Sequence, residues 1–410
     1  MKMKLFNRRN RLLAFFCLLA FLLRVTAAVA GDIYPEDFAN CNPSNGDDTA
    51  CWQEAINAAT SASLPYYFGT VAGASGKIYI IKNTLKICNT TGGMIDGHGA
   101  ILRWEGPAGV PLFLVINANQ LKIANLTIVS NSSAPLYSAF EFTSASVGDD
   151  PCVGTQTAIP SSKDSIDHVI VNGTNANGLM YGVRFSNRYN DNVNNDMSTI
   201  INSTFYNVMV AAVSVEHSQS QEHQLIDVNG YGAPGNTGCF VNATTGFIST
   251  TGGFEGNWGK ADFCLDGAYG PFNIIGVNSE GSNRLLQVGN PGDVTGYPVT
   301  VNILGGRFAV NGLDSDGSLV SFNRLGPLTV RGLRVDGTPP SGVQPDISFQ
   351  PGQMDSSTSA SAIIDGVSFY IPGSSNWNTL IIKGFANLTA QGNLCDDGTS
   401  MVVCKSPYRN

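Results

Sequence analysis

Charge is scarce in this sequence: Asp, Glu, Lys and Arg make up 13% of its 410 residues, and histidine occurs only four times. With 43% apolar residues, so little charge excludes a disordered chain. His98, His168 and His223 stand isolated from any helical metal pair, and no phosphate loop, nucleophile elbow or zinc-protease motif is present. Helical periodicity is also nearly missing. Only DDTACWQEAINAA (47–59) places apolar residues at i, i+3, i+4 and i+7, through Trp52, Ala55, Ile56 and Ala59, with Asp48 or Thr49 able to cap its start. The apolar run from Leu12 to Leu23 has twelve residues and is closed by Arg24, short of the ~20 that a membrane-spanning helix needs.

That run follows Lys2, Lys4, Arg8, Arg9 and Arg11 and precedes small residues ending at Ala30, so residues 1–30 read as a secretory signal cleaved after Ala30. Its loss leaves no membrane anchor. It removes six of the 23 basic residues and none of the 31 acidic ones, so the mature net charge is −14, which argues against nucleic acid as a partner. Cys17 leaves with the signal. The remaining cysteines are even in number, as a disulfide-braced exported chain requires. Pairing near neighbours joins Cys41 with Cys51, Cys239 with Cys264 and Cys395 with Cys404, and leaves Cys88 for Cys152, although spacing alone does not decide the connectivity. Sequons at Asn89, Asn125, Asn131, Asn172, Asn202, Asn242 and Asn387 matter only in a host that glycosylates asparagine.

What the chain does have is glycine, 46 residues of it, and short runs rich in Val, Ile, Thr and Phe from residue 78 to about 390. One phrase recurs, in MIDGHGA, IANLTI, IVNGTN, IINSTF, NIIGVNS, NILGGRF, TVRGLRV, IIDGVSF and IIKGFAN, punctuated at Gly97, Asn125, Asn172, Asn202, Gly276, Gly305, Gly332, Gly366 and Gly384. A second runs in step with it: VRFS from Val183, VSVE from Val213, CFVN from Cys239, FCLD from Phe263, LQVG from Leu286, VSFN from Val320 and ISFQ from Ile347. Two strands locked in phase over successive periods, without intervening helix, require a coiled parallel β-solenoid, because each turn buries its apolar side chains on its neighbours. Hairpins or a sandwich do not explain the shared period. The expected architecture is all-β: one parallel β-helix over 91–390, a cap with the helix and first strands over 31–90, and a C-terminal disulfide-containing tail over 391–410.

DDTACWQEAINAA, GKIYIIKNTLKI and GMIDGHGAILRW resemble the N-terminal signature of the pectate lyase superfamily of right-handed parallel β-helices. The resemblance covers essentially the mature chain and implies an exported, single-stranded right-handed β-helix. It does not imply one reaction, since such helices include pectate and pectin lyases, polygalacturonase-like hydrolases, epimerases, phage tailspikes and surface proteins. SIDHVIV (165–171) is similar to the Trp-Ile-Asp-His strand of pectate lyases, with Ser165 in place of Trp and no arginine pair around a proline downstream.

Aligning the second phrase makes its fourth position a column of Ser186, Glu216, Asn242, Asp266, Gly289, Asn323 and Gln350. With rungs ~4.8 Å apart, Glu216 and Asp266 are expected roughly 9 to 10 Å apart, near the upper edge for an inverting glycosidase pair, with His217 placed to relay a proton. Glu255 and Glu280 are expected one rung apart, as a retaining-type pair or calcium ligands, with Asp262 and Arg284 near in sequence. Cationic candidates for binding a sugar carboxylate are Arg184, Arg188, Arg284 and the stacked pair Arg307 and Arg334. The acidic charge disfavours a polyanionic ligand without calcium, the one cofactor the residues suggest, and NDNVNND (190–196) offers a further oxygen-rich stretch. The expected function is cleavage of a polysaccharide in the solenoid's lateral groove, by hydrolysis or β-elimination. The alternative is a non-catalytic glycan-binding or surface-structural β-helix. Assembly, as a monomer or a homotrimer, stays open.

Overall fold

The computed structural model describes residues 31–403, apart from 40, 42–45, 61–66, 132, 154–159, 175–177, 190–193, 218, 267–269, 291–297, 350–359, 371–379, 386, 392–393 and 397–400. The signal expected over 1–30, most of the NDNVNND stretch and Cys404 lie outside the described residues.

The chain coils into a right-handed parallel β-helix with three sheets. One coil shows the plan. Ile248–Thr251 lies in the first sheet, Phe254–Gly256 in the second and Ala261–Leu265 in the third, and the chain then returns to the first sheet with Phe272–Ile275. Each strand pairs in parallel with its counterpart one coil on: Thr250 with Ile274, Glu255 with Ser279, Phe263 with Leu286. Strands this short cannot bury a core alone. Stacking solves that, because like residues superpose inside: Ile123, Ile166, Ile200 and Leu225 form one continuous buried column, and Ile274, Ile303, Val330 and Ile364 another. Each such side chain contributes about 1.5–3 kcal/mol by leaving water.

The punctuating residues make the corner between first and second sheets, which needs a left-handed backbone. Asn125, His168, Asn202, Asp227, Gly252, Gly276, Gly305, Gly332 and Gly366 occupy it with φ between 48° and 69°. Asn, Asp and His tolerate that region better than other side-chain-bearing residues, and glycine adopts it freely. Here Asn172 is displaced from the sequence alignment: it lies within the second-sheet strand Ile170–Thr174, and His168 turns that corner. The histidine of SIDHVIV is thus a bend residue.

At the N-terminal end the helix Thr49–Ala59 buries Cys51, Trp52, Ala55, Ile56 and Ala59 against the first coil. It also satisfies the open strand edge. Asp48 Oδ2 accepts the Ile80 N–H, Thr49 Oγ1 accepts that of Lys82, and Gln53 bonds both the N–H and the carbonyl of Lys86. Asp48 stands at the N-cap position, but its side chain serves the sheet instead of the helix. At the other end Met401–Val403 runs antiparallel to Leu380–Lys383 and Leu394–Asp396, ending the parallel stack. Disulfides join Cys41–Cys51, Cys88–Cys152 and Cys239–Cys264. Among the described residues no helix is long and apolar enough to cross a membrane.

One buried group makes the fold sensitive to acid. His223 is stacked on Phe185 at 3.9 Å; its Nδ1 accepts the Ser198 N–H and its Nε2 lies 2.6 Å from Ser220 Oγ. That arrangement fits the neutral ring with the proton on Nε2. Burial lowers its pKa to about 3. The unfolded chain therefore takes up the proton first, near pH 6.5, and the stability present above that pH is lost as pH falls towards 3. Between pH 7 and 5 the loss from this group should reach about 2 kcal/mol. Urea midpoints should fall less steeply over that range in His223→Gln than in the unmodified protein; equal slopes would refute the assignment.

Candidate functional site

The outward face of the third sheet gathers charged side chains, and strand alternation puts them there. Phe140-Glu141-Phe142 and Val183-Arg184-Phe185 turn their apolar members inward, and the structure pairs Glu141 with Arg184 and Arg184 with Ser214 on successive coils. Glu141 is fully buried. Its Oε1 accepts from Arg184 Nη1 at 3.1 Å, Arg188 Nε at 2.9 Å and Ser186 Oγ at 2.8 Å, and its Oε2 accepts from Arg188 Nη2 at 3.0 Å. Arg184 reaches on to Glu216, donating Nε to both oxygens at 2.9 and 3.0 Å and Nη2 to Oε2 at 2.5 Å. Ser214 Oγ adds a bond to Glu216 at 2.8 Å. The guanidinium lies 5.2 and 5.6 Å from the ring centres of Tyr137 and Tyr181. These bonds to Glu216, against the opposing effect of burial, push the Arg184 pKa up. Tyr137 and Tyr181 also line a cleft of about 250 Å³ with Pro135 and Met180.

Glu216 and Asp266 share an outward column. Ser214 pairs with Asn242 and Asn242 with Cys264, and extending that register two residues, just past the strand ends, brings Glu216, Thr244 and Asp266 into line. The two acids are thus two rungs apart, ~9 to 10 Å at the usual strand spacing. Asn242 is corrected: it stacks on Ser214, two residues from the expected column, and Thr244 takes its place. Asp266 Oδ2 accepts from Lys260 Nζ at 2.9 Å, and its Oδ1 is buried without a hydrogen-bond partner. Further up, Gly289 and Asn323 follow Asp266 in register. Both acids remain partly open, with 20% and 21% of their side chains exposed.

Other expected site residues lie elsewhere. His217 is buried, with Nδ1 accepting the Gln219 N–H, so it does not face the groove as a relay. Glu255 and Glu280 do not form a pair: Glu255 aligns with Ser279 and points inward, while Glu280 aligns with Gly256 and points outward, 3.7 Å from Arg307. A one-residue offset places two strand residues on opposite faces, so the two acids cannot share a calcium ion. Arg307 and Arg334 do stack in register, but on the second sheet, where both bind Asp336. Arg284 is turned to Asp314 and Asp316 at 3.5 and 3.0 Å. Arg184 is the expected cation that stands beside Glu216.

A second concavity, about 630 Å³, lies where the second sheet leads into the third, lined by Tyr206, Tyr231, Trp258 and asparagines 207, 236, 257 and 283. Tyr206 and Tyr231 stack with ring centres 5.1 Å apart. Asn236 is committed to the fold, donating to the Ala233 and Asn257 carbonyls. Among the described residues the one triad of metal-ligating type is Cys41, Asp48 and Cys51, and its cysteines are bonded to each other.

Sequence reasoning missed Glu141, Lys260, Tyr137 and Tyr181. The signal for Glu141 was present, since Phe-Glu-Phe and Val-Arg-Phe are the same apolar-charged-apolar triplet with opposite signs.

No protein-family model matches the chain, and no curated protein sequence does. Among solved structures it is similar to an endo-xylogalacturonan hydrolase from Aspergillus tubingensis, with 12% identity over 88% of this chain and 91% of that one and a TM-score of 0.40. It is similar to the catalytic unit of an alpha-1,3-glucanase from Streptomyces thermodiastaticus, with 13% identity over 88% and 70% and a TM-score of 0.46. The A-module of a mannuronan epimerase from Azotobacter vinelandii is similar over 88% and 98%, with 14% identity and a TM-score of 0.47. These are likenesses of chain path.

Proposed function

We propose that this is an exported carbohydrate-active protein that lays a polysaccharide along the outward face of the third sheet and hydrolyses it between Glu216 and Asp266. The observation that carries the reading is their common column: two partly exposed carboxylates, one coil between them, at a separation that admits a water molecule on one side of a glycosidic bond. In this reading one carboxyl protonates the leaving oxygen and the other directs water at the anomeric carbon, giving inversion. Arg184 and Lys260 position the two groups. Tyr137 and Tyr181 offer apolar surface to sugar rings at one end of the row.

A second reading, glycan binding without cleavage, is favoured by one observation: both carboxylates are already engaged by cations. The test is to incubate the purified chain with neutral and uronate polysaccharides and follow new reducing ends together with unsaturated-product absorbance. Reducing ends alone support hydrolysis. Both signals together mean β-elimination and shift the chemistry to the arginines. Retention on a glycan column without either signal establishes the binding reading.

A further inference from the structure

The interior of the solenoid holds an acidic cluster that the groove does not use. Glu255 comes from Phe254–Gly256 and Asp262 from Ala261–Leu265 on the same coil, and Ser279 is the partner of Glu255 on the next. Ser282 follows shortly after, its hydroxyl accepting the Trp258 N–H. All four are 0% exposed. Adjoining coils show how unusual this is. The positions stacked with Glu255 and Ser279 are Gly230 and Phe308, and the residue below Asp262 is Phe240.

Both carboxylate oxygens of Glu255 are buried without a hydrogen-bond partner, and burial raises the Asp262 pKa against the hydroxyls of Ser279 and Ser282, which lie beside it. The acids sense each other, since the charge of Asp262 adds to burial in raising the Glu255 pKa. Arg284, adjacent in sequence, directs its guanidinium away, to Asp314 and Asp316. Isolated carboxylates in a protein interior cost several kcal/mol each unless an opposite charge meets them. Nothing basic among the described residues does so.

We propose that Glu255, Asp262, Ser279 and Ser282 hold one calcium ion inside the coil stack. The donor set is all oxygen and carries two negative charges, the composition a hard divalent cation selects. Two bidentate carboxylates and two hydroxyls supply six ligands, within calcium's range of about six to eight. Because the cluster is enclosed, the ion enters as the coil closes, and its binding energy becomes folding energy. The site is separate from the groove and stands or falls independently of glycan cleavage.

The experiment is to unfold the mature chain in guanidinium and refold it in either calcium or EDTA. After dialysis against metal-free buffer, the bound metal is measured by elemental mass spectrometry and the thermal midpoint recorded. The expected result is one calcium per chain after refolding in calcium, and a midpoint higher by about 5 °C than after refolding in EDTA. The double variant Glu255→Gln/Asp262→Asn should carry no calcium and show the same midpoint under both conditions. Should that variant not fold, the wild-type metal content and midpoints still decide. A wild-type chain free of metal, with equal midpoints in calcium and EDTA, overturns the proposal and leaves the two acids sharing protons.

Discussion

Glu141→Ala is expected to destabilise the fold by about 3–5 kcal/mol, the cost of breaking a buried ion pair and leaving its partner unmatched. Glu141 has no exposed surface and takes four hydrogen bonds, from Arg184, Arg188 and Ser186. Without it Arg184 keeps Glu216, while Arg188 loses both of its bonds to Glu141 in a half-buried setting. The check is the urea midpoint of Glu141→Ala, Arg188→Ala and the double variant. The coupling between the two sites should exceed about 1 kcal/mol, because they share hydrogen bonds. Additive effects would mean that the cluster is a coincidence of neighbouring charges.

Asp266→Asn and Glu216→Gln are each expected to lower hydrolytic turnover by about 10²- to 10⁴-fold, the usual worth of a positioned acid or base. Both replacements conserve shape. Asparagine can still accept from Lys260 and glutamine from Arg184, so urea midpoints should move far less than in Glu141→Ala. Affinity for the glycan should persist, which separates lost chemistry from lost binding. Turnover within twofold of the parent in both variants would remove the column from the mechanism and direct attention to the groove at Tyr206 and Tyr231.

The architecture was legible because the solenoid repeats its grammar. A corner needing positive φ selects Gly, Asn or Asp, and an inward column selects Ile, Leu or Val, so both leave a period in the sequence. Position within a rung was less legible. The phrase CFVN matches VSVE in pattern, but the coil between them carries two extra residues, and hydrogen bonding aligns Val213 with Val241. A slip of two keeps the face and changes the column, which is why Asn242 was displaced while Glu216 and Asp266 stayed aligned. Glu255 and Glu280 suffered a slip of one. Matching the two glutamates ignores the corner, where Gly252 and Gly253 align with Gly276 and Val277. Alternation then turns one acid into the core. Ion pairing was illegible for another reason: Arg184 lies 43 residues from Glu141 and 32 from Glu216, and only the coil brings them together.

The bond between Cys239 and Cys264 spans 25 residues, close to one full coil. A stack whose layers touch only their neighbours would, when drawn out from its two ends, pay out like thread from a spool, one layer per force step. At this bond the thread is knotted to the layer below. Pulling would extend the chain on both sides yet keep about 80–90 Å of contour hidden until a reductant releases it. In an oxidising medium the protein therefore carries a ripstop partway along its length, and damage that begins at the carboxyl end meets a covalent boundary before it reaches Arg184 and Glu216.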